Sequence, residues 1–549
     1  MRNGPTWPSI HACFRTRAIE RAMRQGEQLG KTCVSRRIGF FILVFGLVIG
    51  LLEGYSTLPS LENRSVSTAL VDTDTTQLGR AISSAGAAHP GHSGLYPLPD
   101  ARDAFAARVL LARAAERSLD VQYYIWHKDR SGTLLFEALH DAADRGVRVR
   151  LLLDDNNTSG LDPTLAALDA HPNIEVRLFN PFVIRKSRWI GYLTDFFRLN
   201  RRMHNKSFTA DNQATIIGGR NVGDEYFDAT EGTVFVDLDV MAVGPVVKDV
   251  SNDFDRYWAS GSSYPVGLLL PPADPARLEQ LASQASLIER DPAAAAYMTA
   301  IRQLPFVREL VEGRLALEWA PSRMVSDDPA KALGRADADE LLPHQMNEII
   351  GEPARDVELV SAYFVPTAAG VESFVGMAER GVNVTILTNS LEATDVAAVH
   401  AGYAKRRKPL LEAGITLYEL RRLSPRTNRR AGLPGSSGSS ASSLHAKTFS
   451  VDGSRVFIGS FNFDPRSAKL NTEIGFVIDS PALARNISTA FDSRIPANSY
   501  QVRLSNNGQL YWTEHQAGEW VRHDTEPGTS LWLRAGIRLL SALPIEWLL

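Results

Sequence analysis

The chain carries one set of spaced polar residues twice. In each copy a lysine follows a histidine by two positions, and an aspartate follows the same histidine by seven. The copies are His204, Lys206 and Asp211 in "MHNKSFTAD", and His445, Lys447 and Asp452 in "LHAKTFSVD". Side chains two residues apart on a strand point to the same face. Both copies can therefore direct a histidine and a lysine into one cleft.

Each copy continues to an asparagine at the same distance. Asn221 and Asn462 follow their motif aspartates by ten residues, and a turn of small residues precedes each of them. Both stretches read as strand, turn and strand, and the small turn lets the backbone approach a ligand closely. The shared tail indicates that each copy is one half of a single site.

Two histidines, two lysines and two asparagines in one cleft suit the exchange of a phosphodiester. The predicted phosphate-binding residues are Lys206, Asn221, Lys447 and Asn462, whose donors can hold the phosphoryl oxygens as charge builds up on them. One neutral histidine can attack phosphorus, and the other, protonated, can give its proton to the departing oxygen. We expect no metal and no other cofactor, because the lysines carry the positive charge. Asp211 and Asp452 complete the catalytic motifs, and we expect them to make structural hydrogen bonds at the turn.

The elements around the motifs also occur twice. "RGVRVRLLLDD" at 145–155 and "RGVNVTILTNS" at 380–390 share a helix end at Arg-Gly, a β-branched strand and a polar turn. Helices that alternate with apolar strands are typical of βαβ units. The sequence therefore predicts an α/β fold of two duplicated halves, each a mixed, parallel-rich sheet flanked by helices, with the active site between them.

The repeated motif, its small-residue turn and its asparagine resemble those of the phospholipase D superfamily. The resemblance covers the chain from about Ser93 onward, and Gly219 departs from it because the family usually has serine there. The stretches "GGRNVGDEYF", "DLDVMAVGPVV", "NTEIGFVI" and "LPIEWLL" are similar to bacterial cardiolipin synthases. This similarity implies a phosphatidyltransferase that forms cardiolipin from phosphatidylglycerol and a second phospholipid through a covalent phosphohistidine. The alternative is a hydrolytic phospholipase D or another phosphodiesterase of the superfamily, including a nuclease.

The resemblance also implies an acid that orients each histidine. Glu473 fits this role for His445, because it follows that histidine by 28 residues on the next predicted strand. The counterpart for His204 is Asp239, or Asp237 two residues earlier, and the sequence alone does not choose between them. Several family members use the N-terminal histidine as the nucleophile. Carried over, this assigns attack to His204 and acid–base work to His445.

The predicted organisation has six parts. A basic N-terminal segment spans 1–37, a transmembrane anchor or signal spans 38–52, and a linker spans 53–92. The first phospholipase D-like half spans 93–262, a connecting helical segment spans 263–314, and the second half spans 315–549.

The apolar run at 38–52 bears on the location of the protein. It has fifteen uncharged residues and follows a basic segment, which predicts a cytoplasmic N-terminus and a catalytic body on the periplasmic side of a bacterial inner membrane. A cleaved signal peptide is the alternative. The net charge of −3 argues against a protein that coats nucleic acid. The expected partners are phospholipid substrates, including phosphatidylglycerol and phosphatidylethanolamine, and the membrane, without nucleic acid.

Two further segments have compositions that suit a lipid surface. Residues 184–202 interleave basic and aromatic side chains, which fits an anionic membrane interface, nucleic acid or an ordinary amphipathic helix. Residues 529–549 are apolar with two arginines. We expect this second segment to pack on the core, with a position on the membrane as the alternative.

Overall fold

The computed structural model describes residues 58–229, 234–274, 276–422, 442–516 and 518–549. The basic segment 1–37 and the apolar run 38–52 lie outside the described residues. Among the residues that are described, no helix has both the length and the hydropathy needed to cross a bilayer.

The first half alternates strands with helices. Its elements are α1 (Gln77–Gly86), β1 (Ser93–Leu98), α2 (Ala101–Ala114), β2 (Ser118–Ile125), α3 (Arg130–Asp144), β3 (Arg148–Asn157), α4 (Asp162–Asp169), β4 (Ile174–Phe179), α5 (Arg188–Thr194), α6 (Phe196–Leu199), β5 (Ser207–Ala210), β6 (Ala214–Gly218), β7 (Val234–Val236), β8 (Asp239–Val243), α7 (Pro245–Ala259), β9 (Ser263–Pro265), α8 (Ala276–Arg290), α9 (Ala295–Gln303), α10 (Phe306–Val311) and β10 (Glu318–Ala320). Within the described chain, one nine-stranded sheet has the order β10-β1-β8-β6-β5-β2-β3-β4-β9.

The second half repeats this plan. Its elements are β11 (Ser322–Ser326), α11 (Leu342–Ile350), β12 (Asp356–Ser361), α12 (Thr367–Glu379), β13 (Asn383–Asn389), α13 (Ala397–Ala404), α14 (Arg407–Glu412), β14 (Thr416–Leu420), β15 (Ser442–Leu444), β16 (Lys447–Val451), β17 (Arg455–Gly459), α15 (Pro465–Lys469), β18 (Ile474–Asp479), α16 (Pro481–Thr489), α17 (Ile495–Asn498), β19 (Ser499–Leu504), β20 (Leu510–Gln516), β21 (Glu519–His523) and α18 (Leu531–Ala542). Its described strands form a ten-stranded sheet in the order β11-β18-β17-β16-β12-β13-β14-β19-β20-β21.

The predicted mixed sheets are confirmed. In the first sheet β2, β3 and β4 run parallel, and in the second β12, β13 and β14 do so. Antiparallel strands continue both sheets on either side of these triplets. The helix before each middle strand ends at a glycine in the left-handed region, Gly146 at φ 92° and Gly381 at φ 87°. Glycine adopts this conformation without strain, so the Arg-Gly pairs end both helices at the same place in the repeat.

The two sheets pack against each other through apolar side chains. Ile217, Val240 and Ala242 from the first sheet form one buried cluster with Ile458 and Phe476 from the second. Further helices cover the opposite faces of the sheets and form the larger cores of the two halves. This packing fixes the position of one half relative to the other, which the site requires.

Residues 60–92, predicted as part of a linker, pack on the first half. The Ser67 carbonyl accepts a hydrogen bond of 2.9 Å from Arg150, and the Ser67 hydroxyl accepts one of 3.1 Å from the Trp258 indole. Leu78 of α1 is fully buried. The linker prediction is therefore wrong for this part, because polar backbone groups of the segment satisfy buried donors that local periodicity does not reveal.

The segment 263–314, predicted as a connection, is also part of the first half. Its first strand, β9, pairs with β4, and Tyr297 and Met298 of α9 are buried in the core of that half. The strand β10, which we expected in the second half, pairs with β1 of the first sheet. The boundary between the sheets therefore lies between β10 and β11.

Residues 183–196 fall outside the compact unit that comprises 60–182 and 197–549. Their helix, α5, exposes 66% of Trp189 and 60% of Leu193. The expectation that this segment meets a membrane stays a prediction.

Candidate active site

The histidines and lysines of both motifs are buried at the strands where the repeat places them. Lys206 directly precedes β5, and Lys447 is the first residue of β16. None of His204, Lys206, His445 and Lys447 is more than 7% exposed. Four side chains that can carry positive charge are thus removed from bulk water, which is costly unless anionic groups lie nearby.

Contacts between the halves bring the two copies together: His204 Nδ1 lies 2.8 Å from Glu473 Oε2, and His445 Nδ1 lies 2.6 Å from Asp237 Oδ2. Burial first, and then the positive charges of Lys206, Lys447 and His445, lower the pKa of His204 well below its usual value. Coulombic interaction weakens with distance, so this effect of the second motif on His204 follows from the proximity of the two copies. The predicted convergence of both motifs in one site is what the structure has.

Each histidine is fixed by the backbone of the opposite half. The His204 N–H donates to the carbonyl of Thr472 over 2.9 Å, and the His445 N–H donates to the carbonyl of Val236 over 2.8 Å. The short strand β7 pairs in parallel with β15, directly before His445. Each half therefore extends a segment that ends beside the histidine of the other.

The acid that orients each histidine also comes from the opposite half. His204 Nδ1 lies 2.8 Å from Glu473 Oε2, and His445 Nδ1 lies 2.6 Å from Asp237 Oδ2. We expected Glu473 to serve His445 in its own half, and this pairing is wrong. The next residue after Thr472 is Glu473 and the next after Val236 is Asp237, so the backbone contacts across the halves deliver the acids to the opposite histidines.

Asp239, our other candidate acid, contacts no histidine. Its Oδ2 accepts a hydrogen bond of 2.8 Å from Arg108 and lies 3.4 Å from Arg220 Nη1, while its Oδ1 accepts one of 3.1 Å from the Arg220 N–H. Asp239 belongs to β8 and pairs there with Leu98 and Gly218 inside the first sheet. The prediction of an orienting role for Asp239 is wrong, because only Asp237, between β7 and β8, lies where the chain reaches the second half.

The two orienting carboxyls differ in charge. Burial raises the pKa of Glu473 to about 7, although Lys206 opposes this shift. Burial also acts to raise the pKa of Asp237, but the neighbouring His445 and Lys447 hold that pKa well below its usual value. Near neutral pH, Asp237 is therefore an anion, whereas Glu473 is partly protonated. Burial and Lys447 lower the pKa of His445, and Asp237 opposes that shift.

The departure at Gly219 matches this difference. In the second half the Ser460 hydroxyl donates to Glu473 Oε2 over 2.5 Å. In the first half a Cβ atom on Gly219 would lie only 2.2 Å from Asp237 Oδ1. The shorter carboxylate of Asp237 occupies the space that a serine side chain would need. The absence of a side chain at Gly219 therefore allows Asp237 to reach His445.

Lysines and asparagines supply donors beside the histidines. Lys206 Nζ donates to the His204 carbonyl over 2.5 Å, and Lys447 makes the corresponding bond to the His445 carbonyl. Burial lowers the pKa of Lys447 to about 8, although Asp237 opposes the shift. A bound phosphate diester would restore the charged form of both lysines, since an anion close by favours an ammonium.

Each motif asparagine is anchored through its carbonyl. Asn221 Oδ1 accepts from the Ile125 N–H over 3.2 Å, and Asn462 Oδ1 accepts from the Tyr363 N–H over 3.3 Å. This leaves the amide nitrogens as donors, which is the form that suits a phosphoryl oxygen.

The motif aspartates have the structural role we expected. Asp211 at φ 52° and Asp452 at φ 53° both adopt the left-handed conformation that a short polar side chain tolerates. Asp211 accepts hydrogen bonds from the N–H groups of 116–118, and Asp452 accepts from those of 354–356. Asp211 thus binds the backbone at the start of β2, and Asp452 binds the backbone at the start of β12. Neither carboxylate takes part in the chemistry at the histidines.

Aromatic residues that the sequence analysis missed surround the histidines. The ring of Tyr124 meets His204 edge-on at 4.9 Å, and those of Tyr226 and Phe235 lie 5.2 and 5.0 Å from His445. The stretch that carries the family resemblance, 218–227, contains Tyr226 and was the available signal. These rings shield the histidines from water and restrict their rotation.

A group of possible metal ligands lies apart from the four motif side chains. His127, Asp129 and Glu225 could offer three ligand atoms within 4.8 Å of one another in the described part of the chain. However, His127 Nδ1 already lies 3.0 Å from Glu225 Oε1, and Asp129 accepts hydrogen bonds from the N–H groups of Gly132 and Asp224. These contacts account for the group as an ion pair and a helix cap.

Two facing α/β sheets that each contribute one His-x-Lys motif define the phospholipase D-like class of protein. A family model described as "Cardiolipin synthase, PLD-like domain" matches residues 110–258 and 346–495. The matched segments cover more than half of the chain and contain the histidines, lysines and orienting acids of both halves. The chain belongs to this family.

Individual relatives agree with the family assignment. The chain is 53% identical over 463 residues to cardiolipin synthase C of Escherichia coli strain K12, covering 84% of this chain and 97% of the relative. It is 23% identical to cardiolipin synthase B of the same strain, over 71% of this chain and 77% of the relative. The crystal structure of phosphatidylserine synthase from Haemophilus influenzae Rd KW20 shares the fold, with a TM-score of 0.53 at 12% identity over 86% of this chain and all of that one.

Proposed function

We propose that this protein transfers a phosphatidyl group from phosphatidylglycerol to the hydroxyl of a second phospholipid and so forms cardiolipin. The observation that carries the mechanism is the exchange of orienting acids, by which each histidine binds a carboxyl group from the opposite half. The relatives named above support phospholipids as the substrate class and the phosphatidyl group as the group that is transferred.

In the first step His204 is the nucleophile. Its Nδ1 proton is held by Glu473, so Nε2 carries the lone pair, and burial beside three cationic groups keeps the ring unprotonated. Nε2 attacks phosphorus, and the bond from phosphorus to the glycerol oxygen breaks. His445, as an imidazolium stabilised by Asp237, gives its Nε2 proton to that oxygen, and glycerol leaves. The phosphatidyl group is then covalently bound to His204.

In the second step the acceptor replaces the glycerol. The now neutral His445 takes the proton from the hydroxyl of the second phospholipid, whose oxygen attacks phosphorus. The bond from phosphorus to His204 Nε2 breaks, and both histidines return to their starting forms. Lysines and asparagines of both motifs hold the phosphoryl oxygens in each step.

Water in the acceptor position would instead give phosphatidic acid, which is the hydrolytic alternative. A transferase outcome requires that the acceptor lipid reach the covalent intermediate before water does. The aromatic side chains around both histidines favour this outcome, because they limit the entry of solvent.

The test measures products and the covalent intermediate together. Purified full-length protein is incubated with phosphatidylglycerol labelled at phosphorus, with or without phosphatidylethanolamine as an alternative donor. We expect cardiolipin and glycerol, and ethanolamine release if phosphatidylethanolamine serves as a donor. Phosphatidic acid as the sole product would establish the hydrolytic reading instead.

The order of the histidines has its own test. A donor with a p-nitrophenol leaving group needs no proton from an acid. His445→Ala should therefore still release one burst of p-nitrophenol, and the labelled phosphatidyl group should stay bound to the protein through an acid-labile bond. His204→Ala should release no p-nitrophenol. A burst from His204→Ala would reverse the assignment. His171→Ala, which changes a partly exposed histidine outside the site, is the matched control.

We also propose that the catalytic body lies on the periplasmic side of a bacterial inner membrane. The support is the basic segment that precedes the apolar run at 38–52. Protease added to intact spheroplasts should degrade the body. Protection until the inner membrane is lysed would place the body in the cytoplasm.

A further inference from the structure

The C-terminal helix α18 is apolar on its exposed side as well as on the side that packs against the body. Ile537 is buried against Leu391 and Ala401, and Leu540 packs beside them. The opposite side, at helical spacing, carries Trp532, Ala535, Leu539 and Ala542, all of them exposed. A helix that lies on a soluble body normally presents polar side chains to water. In α18 both faces are apolar, and only one of them is covered within the described chain.

The exposed apolar surface is large and continues beyond the helix. Six large side chains between 531 and 547 are at least 40% exposed: Leu531, Trp532, Leu533, Leu539, Leu543 and Trp547. Trp532 is 84% exposed. Contiguous apolar surface of this kind marks an interaction site. The indoles are suited to a lipid interface, where one end of the ring meets hydrocarbon and the other meets water.

The charges around this surface favour an anionic partner. Arg538 is exposed on the flank of α18. The single acid among residues 531–549 is Glu546, and both Lys405 and Arg406 form ion pairs with it. Within residues 531–549 the surface therefore combines an apolar face, tryptophans and an exposed arginine, and its one acidic side chain is paired. Anionic phospholipid headgroups complement that combination.

The same surface lies on elements that border the active site. α18 packs on α13, which closely follows Asp395, and Asp395 accepts a hydrogen bond of 2.7 Å from the Tyr363 hydroxyl. The Tyr363 N–H in turn holds Asn462. At the end of the segment, the Leu549 carbonyl accepts a bond of 2.7 Å from the N–H of Arg466, four residues after Asn462. The segment that carries the exposed face is thus connected through packed elements to the residues that hold Asn462.

We infer that the outer face of α18, with Leu543 and Trp547, docks the catalytic body on the surface of an anionic phospholipid bilayer. The choice of a bilayer rests on the proposed function, because a phosphatidyltransferase must take both lipids from a membrane. Docking would hold the catalytic body at the surface from which its lipids come. It acts independently of whether the segment 38–52 anchors the chain.

A probe on the helix tests the docking without relying on catalysis. Cys13 and Cys33 are replaced by serine in the full-length protein, and Ala535→Cys is labelled with the fluorophore NBD. With vesicles of phosphatidylglycerol and phosphatidylethanolamine, its emission should shift to the blue and be quenched by brominated acyl chains. The same label at Gln280→Cys, exposed on α8 of the first half, should do neither. An unchanged spectrum at position 535 overturns the inference, even if the protein makes cardiolipin.

Kinetics supply the second readout. The double variant Trp532→Glu, Leu539→Glu should lose at least about tenfold in kcat/KM on vesicles and keep its rate on monomeric short-chain phosphatidylglycerol. Leu287→Glu places an acid at an equally apolar position, 67% exposed on α8, and should change neither rate. Equal losses on both substrates, or none on vesicles, contradict docking at α18. Burial of position 535 in a dimer without lipid, seen by light scattering and NBD emission, would assign this face to a second copy.

Discussion

Asp237→Asn removes the negative charge that lies against His445 and keeps the size of the side chain. The carboxylate oxygen lies 2.6 Å from His445 Nδ1, and both groups are buried. The substitution should therefore act on the protonated form of His445, which the mechanism requires as the acid in the first step.

The size of the effect follows from the charge pair. Two unit charges about 4 Å apart, at an effective dielectric constant of about 20, attract by about 4 kcal/mol. Loss of that attraction when His445 is protonated corresponds to a roughly thousandfold lower rate. The pKa of His445 should also fall in the variant, so the decline in rate at high pH should begin at a lower pH than in the wild type.

The assay measures the initial rate of cardiolipin formation over a series of pH values. Asp239→Asn is the matched control, since Asp239 lies two residues away and binds Arg108 instead of a histidine. This control should lose about 3–5 kcal/mol of stability, seen as a lower unfolding midpoint. Its folded fraction should keep a rate within severalfold of the wild type. Near-normal activity in Asp237→Asn, or an equal loss in folded Asp239→Asn, would refute the exchange of acids.

Three further predictions, which use four substitutions, follow from the site. Burial raises the pKa of Glu473 from 4.5 to about 7, so about 3 kcal/mol of stability should be lost as the pH rises through this interval. Glu473→Gln should flatten that part of the urea-unfolding profile, and an unchanged profile would count against the shift. Gly219→Ser should displace Asp237 and lower activity by at least about tenfold. Wild-type turnover in this variant would show that the turn can shift to make room for the serine side chain. Asp211 is fully buried and Asp452 is not. Asp211→Ala should therefore cost about 2–4 kcal/mol of stability, and Asp452→Ala about half as much. Equal shifts of the urea-unfolding midpoint in the two variants would contradict this ranking.

The paired motifs can be predicted from sequence because their geometry is local. His204 and Lys206 lie directly before β5, and a left-handed aspartate turn recurs in both halves. These constraints act over about a dozen residues, so identical spacing in two places carries the information. The duplicated sheets follow from the same periodicity.

The orienting acids could not be assigned in this way. His204 and Glu473 are 269 residues apart, and His445 and Asp237 are 208 apart. Their pairing depends on how the two sheets face each other, which no local pattern records. Choosing between Asp237 and Asp239 required the strand boundary, because β8 begins at Asp239. The packing of residues 60–92 was missed for a similar reason, since their partners are buried arginines distant in sequence.

The exchange of acids between the halves also governs when activity first arises during synthesis. Domains generally fold as units from the N-terminus while the chain is being made. A chain whose first half alone has folded holds His204 without Glu473 and Asp237 without His445. His204 then lacks the acid that fixes its tautomer, and the histidine that serves as acid and base is absent. Catalysis can begin only when the second half has folded and supplies both Glu473 and His445.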